Sequence, residues 1–220
     1  KAASNTNYLD WSSAISDLLS GTRSDGGTAQ GSGVSGPVVF TVYDTIYANT
    51  SIQITAVNGA SATNRITFQS AGGDSSKCRL VYASGSASTD DWVLHLNGAD
   101  FITFSKIGFE RTGQNTYGTI IQISNDADNN KFTHCLMKGQ KIPSSLSKGF
   151  QTGIGSCVYF SGNGDTIELT NNRFLYGYNG VYNLNSGSAN YFAYNLIDTP
   201  GSAGIYVNSQ SAFRVIGNSF

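Results

Sequence analysis

Acidic side chains are the residues of this sequence best suited to catalysis or metal binding. Asp126 and Asp128 lie close to Lys131, while Asp90 and Asp91 form a separate pair. Carboxylates that bind calcium beside a basic side chain are typical of polysaccharide lyases. The segment around Asp128 nevertheless lacks the bidentate acid and the spacing of a defined calcium loop. We therefore interpret it as a polar turn between two apolar segments.

A glycoside hydrolase needs two carboxylates, one of which donates a proton. Beyond Asp128 the only acids are Asp165, Glu168 and Asp198. No acid occupies the position of Glu168 in the neighbouring repeats, so we expect no catalytic residues here and no cluster of acids on any face. An enzyme would instead require several of the following side chains in one groove: Asp126, Asp128, Lys131, Glu168 and Arg173.

Histidine and cysteine form no pattern typical of a metal site or a nucleophile. His95 and His134 have no Ser, Asp or Cys partner at a known spacing, and we expect His95 to point outward. Cys135 falls on a predicted core position, which indicates a packed thiol. The disulfide state of Cys78, Cys135 and Cys157 stays open, because three cysteines define no framework. The sequence predicts no metal and no cofactor.

Three tyrosines are the candidate ligand-binding residues. Tyr159, Tyr182 and Tyr206 each lie between inward-facing residues in the second strand of a repeat, so they would stack on one outer face. Aromatic rings bind sugars through apolar contact, and the scarcity of charge favours neutral glycans. The alternative is that the rings only pack on one another, which stabilises a sheet by ~0.2–1 kcal/mol per pair.

Internal repetition is the strongest structural signal. Five segments superimpose on one template of alternating apolar positions with an asparagine or a small residue near the sixth position. The segments are 102–109, 130–137, 167–174, 190–197 and 213–220. Successive steps of 28, 37, 23 and 23 residues indicate a coil of about 23 residues that carries variable loops. A second strand follows the template in each repeat.

Short strands in a coil of this length are typical of a right-handed parallel β-helix, an all-β solenoid. Stacked coils lie ~4.8 Å apart and align equivalent side chains into internal ladders. One predicted ladder is Phe104, Phe132, Leu169, Phe192 and Val215, and another is Phe109, Met137, Phe174, Ile197 and Phe220. A third, Asn172, Asn195 and Asn218, would hydrogen-bond from coil to coil and satisfy buried polar groups.

The N-terminal region differs from the repeats. Apolar residues at helical spacing predict an amphipathic helix over residues 8–19, with Asp10 as its N-cap and Gly21 as its C-cap. We expect the region 1–36, which ends in a Gly/Ser-rich loop, to cap the coils of residues 37–220. Because the sequence stops at Phe220 on a core position, we expect the coils to continue in a longer chain.

Composition excludes several classes of function. Thirteen basic and fourteen acidic residues give a net charge of −1 without a basic stripe, so nucleic acid is not an expected partner. No apolar run approaches the roughly 20 residues of a membrane-spanning helix. Intrinsic disorder is not expected either, because a chain with 39% hydrophobic residues can form a core.

Several motifs resemble those of one group of proteins. They lie at 36–42, 57–64, 66–70, 73–76, 96–104 and 117–121. In order and spacing they are similar to β-helix regions of very large secreted and cell-surface proteins of Bacteroidota, typically exported by the type IX secretion system. The resemblance covers roughly residues 8–220 and implies a surface or extracellular location and an adhesin-like role. It defines no catalytic residues.

The sequence therefore predicts a secreted or cell-surface β-helical adhesin or structural stalk, whose partners are polysaccharides or cell-surface glycans. The resemblance adds the type IX secretion machinery as a partner. The alternative is a polysaccharide lyase or glycoside hydrolase of the same fold. A third possibility, a phage or appendage fibre, would require a trimer.

Overall fold

The computed structural model describes residues 7–83, 91–113, 118–141, 155–198 and 200–220. In these ranges the chain forms one N-terminal helix and then short strands that recur in sets of three or four. Each set makes one coil, and strands of successive coils pair in parallel. The predicted right-handed parallel β-helix is confirmed.

The elements follow one another in chain order. The helix is α1 (Trp11–Ser20). Coil 1 contains β1 (Val38–Val42), β2 (Ile46–Ala48) and β3 (Ile52–Thr55), and coil 2 contains β4 (Ile66–Ser70), β5 (Arg79–Ala83) and β6 (Trp92–Asn97). Coil 3 contains β7 (Ile102–Ser105), β8 (Gly108–Thr112) and β9 (Thr119–Ser124), and coil 4 contains β10 (Lys131–Thr133), β11 (Leu136–Lys138) and β12 (Val158–Phe160). Coil 5 contains β13 (Glu168–Thr170), β14 (Arg173–Leu175), β15 (Asn179–Asn183) and β16 (Gly187–Ser188). Coil 6 contains β17 (Tyr191–Ala193), β18 (Leu196–Asp198), β19 (Ala203–Val207) and β20 (Gln210–Ser211), and β21 (Arg214–Ile216) opens a seventh coil.

Three sheets run along the solenoid axis. Sheet A has the order β1-β4-β7-β10-β13-β17-β21, sheet B has the order β2-β5-β8-β11-β14-β18, and sheet C has the order β3-β6-β9-β12-β15-β19. A fourth, two-stranded sheet joins β16 to β20. Because a polypeptide turns sharply between sheets, each coil has corners, and side chains at equivalent corners lie one above another.

The inward side chains of sheet A form the predicted aromatic ladder. Phe104 aligns with Phe132, and their stacked ring centroids lie 5.3 Å apart. The ladder extends toward the N-terminus beyond the prediction, through Phe68 and Phe40, whose rings stack at 4.7 Å. The aligned residues are Phe40, Phe68, Phe104, Phe132, Leu169, Phe192 and Val215.

The inward side chains of sheet B form the second predicted ladder. Phe109, Met137, Phe174 and Ile197 align in successive coils and are almost completely buried. The ladder's last predicted member, Phe220, follows a residue that bridges β18, but its side chain is 75% exposed. The members of this ladder are therefore buried through coil 6.

The predicted asparagine ladder lies at the corner between sheets A and B. The Oδ1 of Asn195 accepts a hydrogen bond from the backbone N–H of Asn172 at 2.9 Å, and Asn218 does the same for Asn195. Each Nδ2 donates to a carbonyl oxygen of the preceding coil, for example Asn195 to Leu169 at 2.8 Å. These bonds satisfy backbone groups that would otherwise cost ~1–3 kcal/mol each when buried.

The same corner has a left-handed backbone residue in each of coils 3 to 6. Lys106, His134, Asn171 and Tyr194 have φ between 54° and 56°. This conformation is unfavourable for residues with a Cβ by roughly 1–2 kcal/mol. Each of these residues donates its backbone N–H to a carbonyl of the next coil, at 3.0–3.2 Å. The corner therefore continues the hydrogen-bond ladder of the sheets, and this offsets the strain.

The helix α1 covers the N-terminal end of the stack. Asp10 accepts from the backbone N–H of Ser13 at 2.7 Å, and Gly21 ends the helix with φ 68°, so both predicted caps are confirmed. The predicted range of 8–19 is corrected to Trp11–Ser20, because the N-cap at Asp10 leaves Tyr8 before the helix. Trp11 packs against Phe68 and Tyr47, with ring centroids at 5.3 and 6.0 Å. No helix in the described ranges has the length and apolar character needed to cross a membrane.

Candidate functional site

The outer face of sheet C is the candidate site, because it contains all three predicted tyrosines. Tyr159, Tyr182 and Tyr206 align in register on coils 4, 5 and 6. The same row continues toward the N-terminus with polar residues on the earlier coils. From coil 1 to coil 6 the row is Gln53, His95, Gln122, Tyr159, Tyr182 and Tyr206.

The tyrosine rings contact one another along the axis. The rings of Tyr182 and Tyr206 stack with centroids 5.1 Å apart and planes inclined by 10°, while Tyr159 is tilted by 59° at 6.1 Å from Tyr182. Tyr182 is only 5% exposed, Tyr159 is half-buried, and Tyr206 is 48% exposed. Burial raises the pKa of Tyr159 and of Tyr182, and the neighbouring phenols add to the effect at Tyr182. The accessible rings are therefore Tyr159 and Tyr206, with Tyr182 packed between them.

His95, on coil 2, is an inaccessible member of this row. It occupies the outward position between two inward leucines, as expected, but it is only 7% exposed. The ring of Trp92 lies 4.5 Å from its ring, and its Nε2 is 2.7 Å from the Oγ of Ser124. The histidine is therefore a packed part of the sheet surface, which its sequence neighbours did not reveal.

Neutral polar side chains surround the tyrosines. Gln122 donates from Nε2 to the Oγ of Ser161, one coil further, at 2.9 Å. The strand register places Ser161 in a second outward row with Leu184 and Asn208, and all three are exposed. The tyrosine row and this second row together present hydroxyls, amides and one aliphatic side chain.

Charge is distributed unevenly among the three sheets. The six strands of sheet C contain no Asp, Glu, Lys or Arg. The strands of sheets A and B contain all the charged strand residues of the described chain: Lys131, Glu168 and Arg214 in sheet A, and Arg79, Glu110, Arg111, Lys138, Arg173 and Asp198 in sheet B. A ligand on sheet C would therefore contact neutral groups.

Three aspartates form a ladder at the corner between sheets C and A. Asp100 accepts from the backbone N–H of Asp128 at 2.7 Å, Asp128 accepts from that of Asp165 at 2.7 Å, and Asp165 accepts from that of Ser188 at 2.6 Å. Burial raises the pKa of Asp128, and repulsion by the neighbouring aspartates adds to it. The expectation of no clustered acids on any face is wrong here, because acids far apart in sequence meet when coils stack.

A sequence signal for this ladder existed. The separations from Asp100 to Asp128 and from Asp128 to Asp165 are 28 and 37 residues, the same as two steps of the repeat template. The segment around Asp128 is a turn between β9 and β10, as predicted, with positive φ at Asn125, Asp126 and Asn129. Asp128 therefore has a structural role in the ladder, which accounts for its spacing from Asp100 and Asp165.

The side chains considered for an enzyme lie on two sheets and one corner, with Asp126 and Asp128 at the corner between sheets C and A. Lys131 and Glu168 form an ion pair of 2.8 Å on the outer face of sheet A. Arg173 lies on sheet B, where its guanidinium is 3.4 Å from Asp198. Neither residue aligned with Glu168 is acidic, as expected. Of the other acids considered, Asp91 is buried at the start of β6, and Asp90 lies outside the described residues.

The remaining candidates are structural. All three cysteines are free and buried, and burial raises the pKa of each thiol to about 12. The backbone N–H of Cys135 donates to Asn172 at 2.9 Å, which confirms its place on the asparagine ladder. His134 is exposed, with Nδ1 2.9 Å from the hydroxyl of Thr133. In the described ranges no group of three or more His, Cys, Asp or Glu side chains is arranged to hold a metal ion.

A cleft of about 780 Å³ lies between α1 and the edge strand β1. Its volume is in the range of small-molecule pockets, and its walls include Tyr8, Trp11 and Phe40. Its buried carboxylate, Asp17, already accepts from the hydroxyl of Tyr8 at 2.7 Å and from the backbone N–H of Gln30 at 2.9 Å. These bonds attach the loop after α1 to the helix, so we assign the polar groups of the cleft to the cap.

The chain was compared with protein families, characterised proteins and solved structures. No protein family, characterised protein or solved structure matches the chain. The resemblance to β-helix regions of Bacteroidota surface proteins therefore stays a prediction from the sequence motifs. The fold and the candidate site rest on the residues of this chain alone.

Proposed function

We propose that this chain is part of a secreted or cell-surface β-helical adhesin or stalk, and that it binds neutral glycans on the outer face of sheet C. The observation that supports the proposal is the composition of that face. Six strands without a charged residue present tyrosines and neutral hydrogen-bonding groups, whereas the charged strand residues lie on the other two sheets. An acidic glycan would find no cationic partner on these strands.

The chemistry of the accessible side chains matches a sugar. A pyranose has an apolar ring face and a rim of hydroxyl groups, so it is bound by an aromatic or aliphatic surface with neutral hydrogen-bonding groups around it. Tyr206 and Leu184 provide the exposed apolar surface. Gln122, Ser161 and the half-buried Tyr159 provide amide and hydroxyl groups on the adjacent coils.

Tyr182 has a different role in this proposal. Its ring is stacked on Tyr206 and almost fully buried, so it positions the neighbouring ring instead of contacting the ligand. The stacking energy of such cross-strand pairs, ~0.2–1 kcal/mol, holds the accessible rings in place. The ladder interpretation and the binding interpretation are therefore compatible, with Tyr159 and Tyr206 as the contacting residues.

The proposed location and export route rest on the sequence. A low charge content, many Ser, Thr, Asn and Gly residues and the motif resemblance support a surface or extracellular protein. The type IX secretion machinery is a proposed partner on the resemblance alone.

One observation favours an alternative function, a polysaccharide lyase or glycoside hydrolase. Asp100, Asp128 and Asp165 bring three carboxylates together on adjacent coils, which is the kind of arrangement that acid–base chemistry requires. Each of them already accepts a backbone hydrogen bond from the next coil, which supports a structural role.

A binding and cleavage assay separates the two functions. The chain is incubated with neutral and acidic polysaccharides, with and without calcium, and both retention and cleavage are measured. We expect retention of neutral polysaccharides without cleavage, weakened about tenfold by Tyr159→Ala and by Tyr206→Ala. Tyr191→Ala, which removes a tyrosine from sheet A, is the matched control and should leave binding unchanged.

Two results would overturn this proposal. Cleavage that is lost in Asp128→Asn would assign the aspartate ladder to catalysis. Equal weakening by Tyr191→Ala and Tyr206→Ala would remove the assignment to sheet C.

A further inference from the structure

The accessible surface of sheet C is long and narrow. The accessible outward side chains of coils 4 to 6 lie in only two rows, for example Tyr159 in β12 and Ser161 directly after it on coil 4. Residues two apart on a strand are separated by ~7 Å, whereas three coil steps from Gln122 to Tyr206 span ~14 Å. The longer dimension is parallel to the solenoid axis.

The surface is also closed at one end. On coil 2 the outward position belongs to His95, which is buried, contacts the ring of Trp92 and is within hydrogen-bonding distance of Ser124. Gln53, one coil earlier, is exposed but is separated from the rest of the row by this packed pair. The accessible residues therefore begin at Gln122 on coil 3 and continue to coil 6.

The polar and apolar groups are ordered along this direction. Gln122 and Ser161, linked by a hydrogen bond, form the polar end on coils 3 and 4. Leu184 and Tyr206, both more than 40% exposed, form the apolar end on coils 5 and 6. Tyr159 lies between the two ends with a half-buried ring. A single monosaccharide would not contact both ends, because they are separated by several coil steps.

We infer that the ligand is a linear, neutral polysaccharide segment that lies along the solenoid axis across coils 3 to 6. This inference rests on the proposed function and adds the shape and the direction of the ligand. A segment that spans the surface contacts the amide of Gln122 at one end and the ring of Tyr206 at the other. A monosaccharide or a disaccharide contacts only part of the row.

Affinity should therefore depend on the length of the ligand. Binding is measured by titration calorimetry with cello-, manno- and xylo-oligosaccharides of one to six units, all linear and neutral. For the series that binds, we expect the hexasaccharide to bind at least about tenfold more tightly than the disaccharide, because it adds contacts on further coils. The gain should level off once the ligand covers the surface from coil 3 to coil 6.

Two variants test the two ends, and a third is the matched control. Gln122→Ala and Tyr206→Ala should each reduce the affinity for the hexasaccharide. Each variant should retain weak binding of short oligosaccharides at the end of the surface that it leaves intact. Gln53→Ala removes the same type of side chain from the same row on the far side of His95 and Trp92. It should leave the affinity for every length unchanged. Circular dichroism of each variant shows whether the strands are retained.

The failures of the two proposals differ. If all lengths bind equally, or if Gln122→Ala has the same effect as Gln53→Ala, the axial arrangement is overturned while glycan binding on sheet C stands. If no neutral oligosaccharide of the three series binds, both the proposed function and this inference are overturned.

Discussion

At the scale of single residues, Asp128 is the acid of the aspartate ladder whose protonation the fold influences. It lies between two aspartates of the same ladder, and burial with repulsion raises its pKa. A carboxyl group with a raised pKa in the folded state favours folding when it is protonated. This contribution is complete below the unfolded pKa of about 3.9 and is lost as the pH rises through the folded pKa.

Asp128→Asn should therefore stabilise the chain at neutral pH. The amide oxygen of asparagine can still accept the hydrogen bond from the backbone N–H of Asp165, while the negative charge is removed. We expect a higher melting temperature than that of the wild type at pH 7 and a difference that disappears toward pH 3. Asp126→Asn, at an exposed neighbouring position, should change the melting temperature less. A difference that is largest at pH 3 would contradict the raised pKa.

The aspartate ladder also shows the limit of residue-level prediction. The repeat template placed Asn172, Asn195 and Asn218 in one ladder, because these residues recur at a fixed position inside an apolar pattern. The aspartates recur in a polar corner, where no apolar periodicity marks the register. The burial of Tyr182 depends on rings from two other coils, and a single strand sequence does not contain that information.

At the scale of elements, the cap helix illustrates what local sequence determines. The helix, both of its caps and its apolar face were predicted from spacing alone, since these features depend on residues within a few positions of one another. The strands of coils 1 and 2 lie outside the five segments that match the template. The strand register of the structure is what places Phe40 and Phe68 in the ladder of sheet A.

Trp11 should contribute more to the stability of the packing between α1 and the coils than its exposed neighbours on the helix. It is 5% exposed and packs on Phe68 and Tyr47, so Trp11→Ala should lower the free energy of unfolding by about 3–5 kcal/mol. Ser12→Ala changes the adjacent exposed position of the same helix and should have an effect within about 0.5 kcal/mol. Urea unfolding measures both. Equal stability of the two variants would show that the helix does not depend on this contact.

At the scale of the whole molecule, the distribution of exposed apolar side chains separates the middle of the solenoid from its ends. In the described ranges, the large exposed apolar residues lie either in coil 1 and the segment before it or in coils 5 to 7. They are Leu9, Val39, Tyr43, Ile46, Leu184, Tyr194, Leu196, Tyr206, Val215 and Phe220. The strands of coils 2 to 4 pair with a coil on each side, whereas the edge strands β1 and β21 each pair with one neighbouring strand only.

The stability of a solenoid is approximately a sum of coil and interface terms, so the outer coils should open first. Hydrogen exchange measured by mass spectrometry should find the amides of β7 to β9 protected about 100-fold more than those of β1 and β21. Asn195→Ala removes two hydrogen bonds between coils 5 and 6, so it should reduce protection there and leave β4 to β6 unchanged. Asn163→Ala, at an exposed position, is the control. Uniform protection along the chain, or loss of protection in coil 2 on substitution of Asn195, would instead mean that all the coils unfold as one cooperative unit.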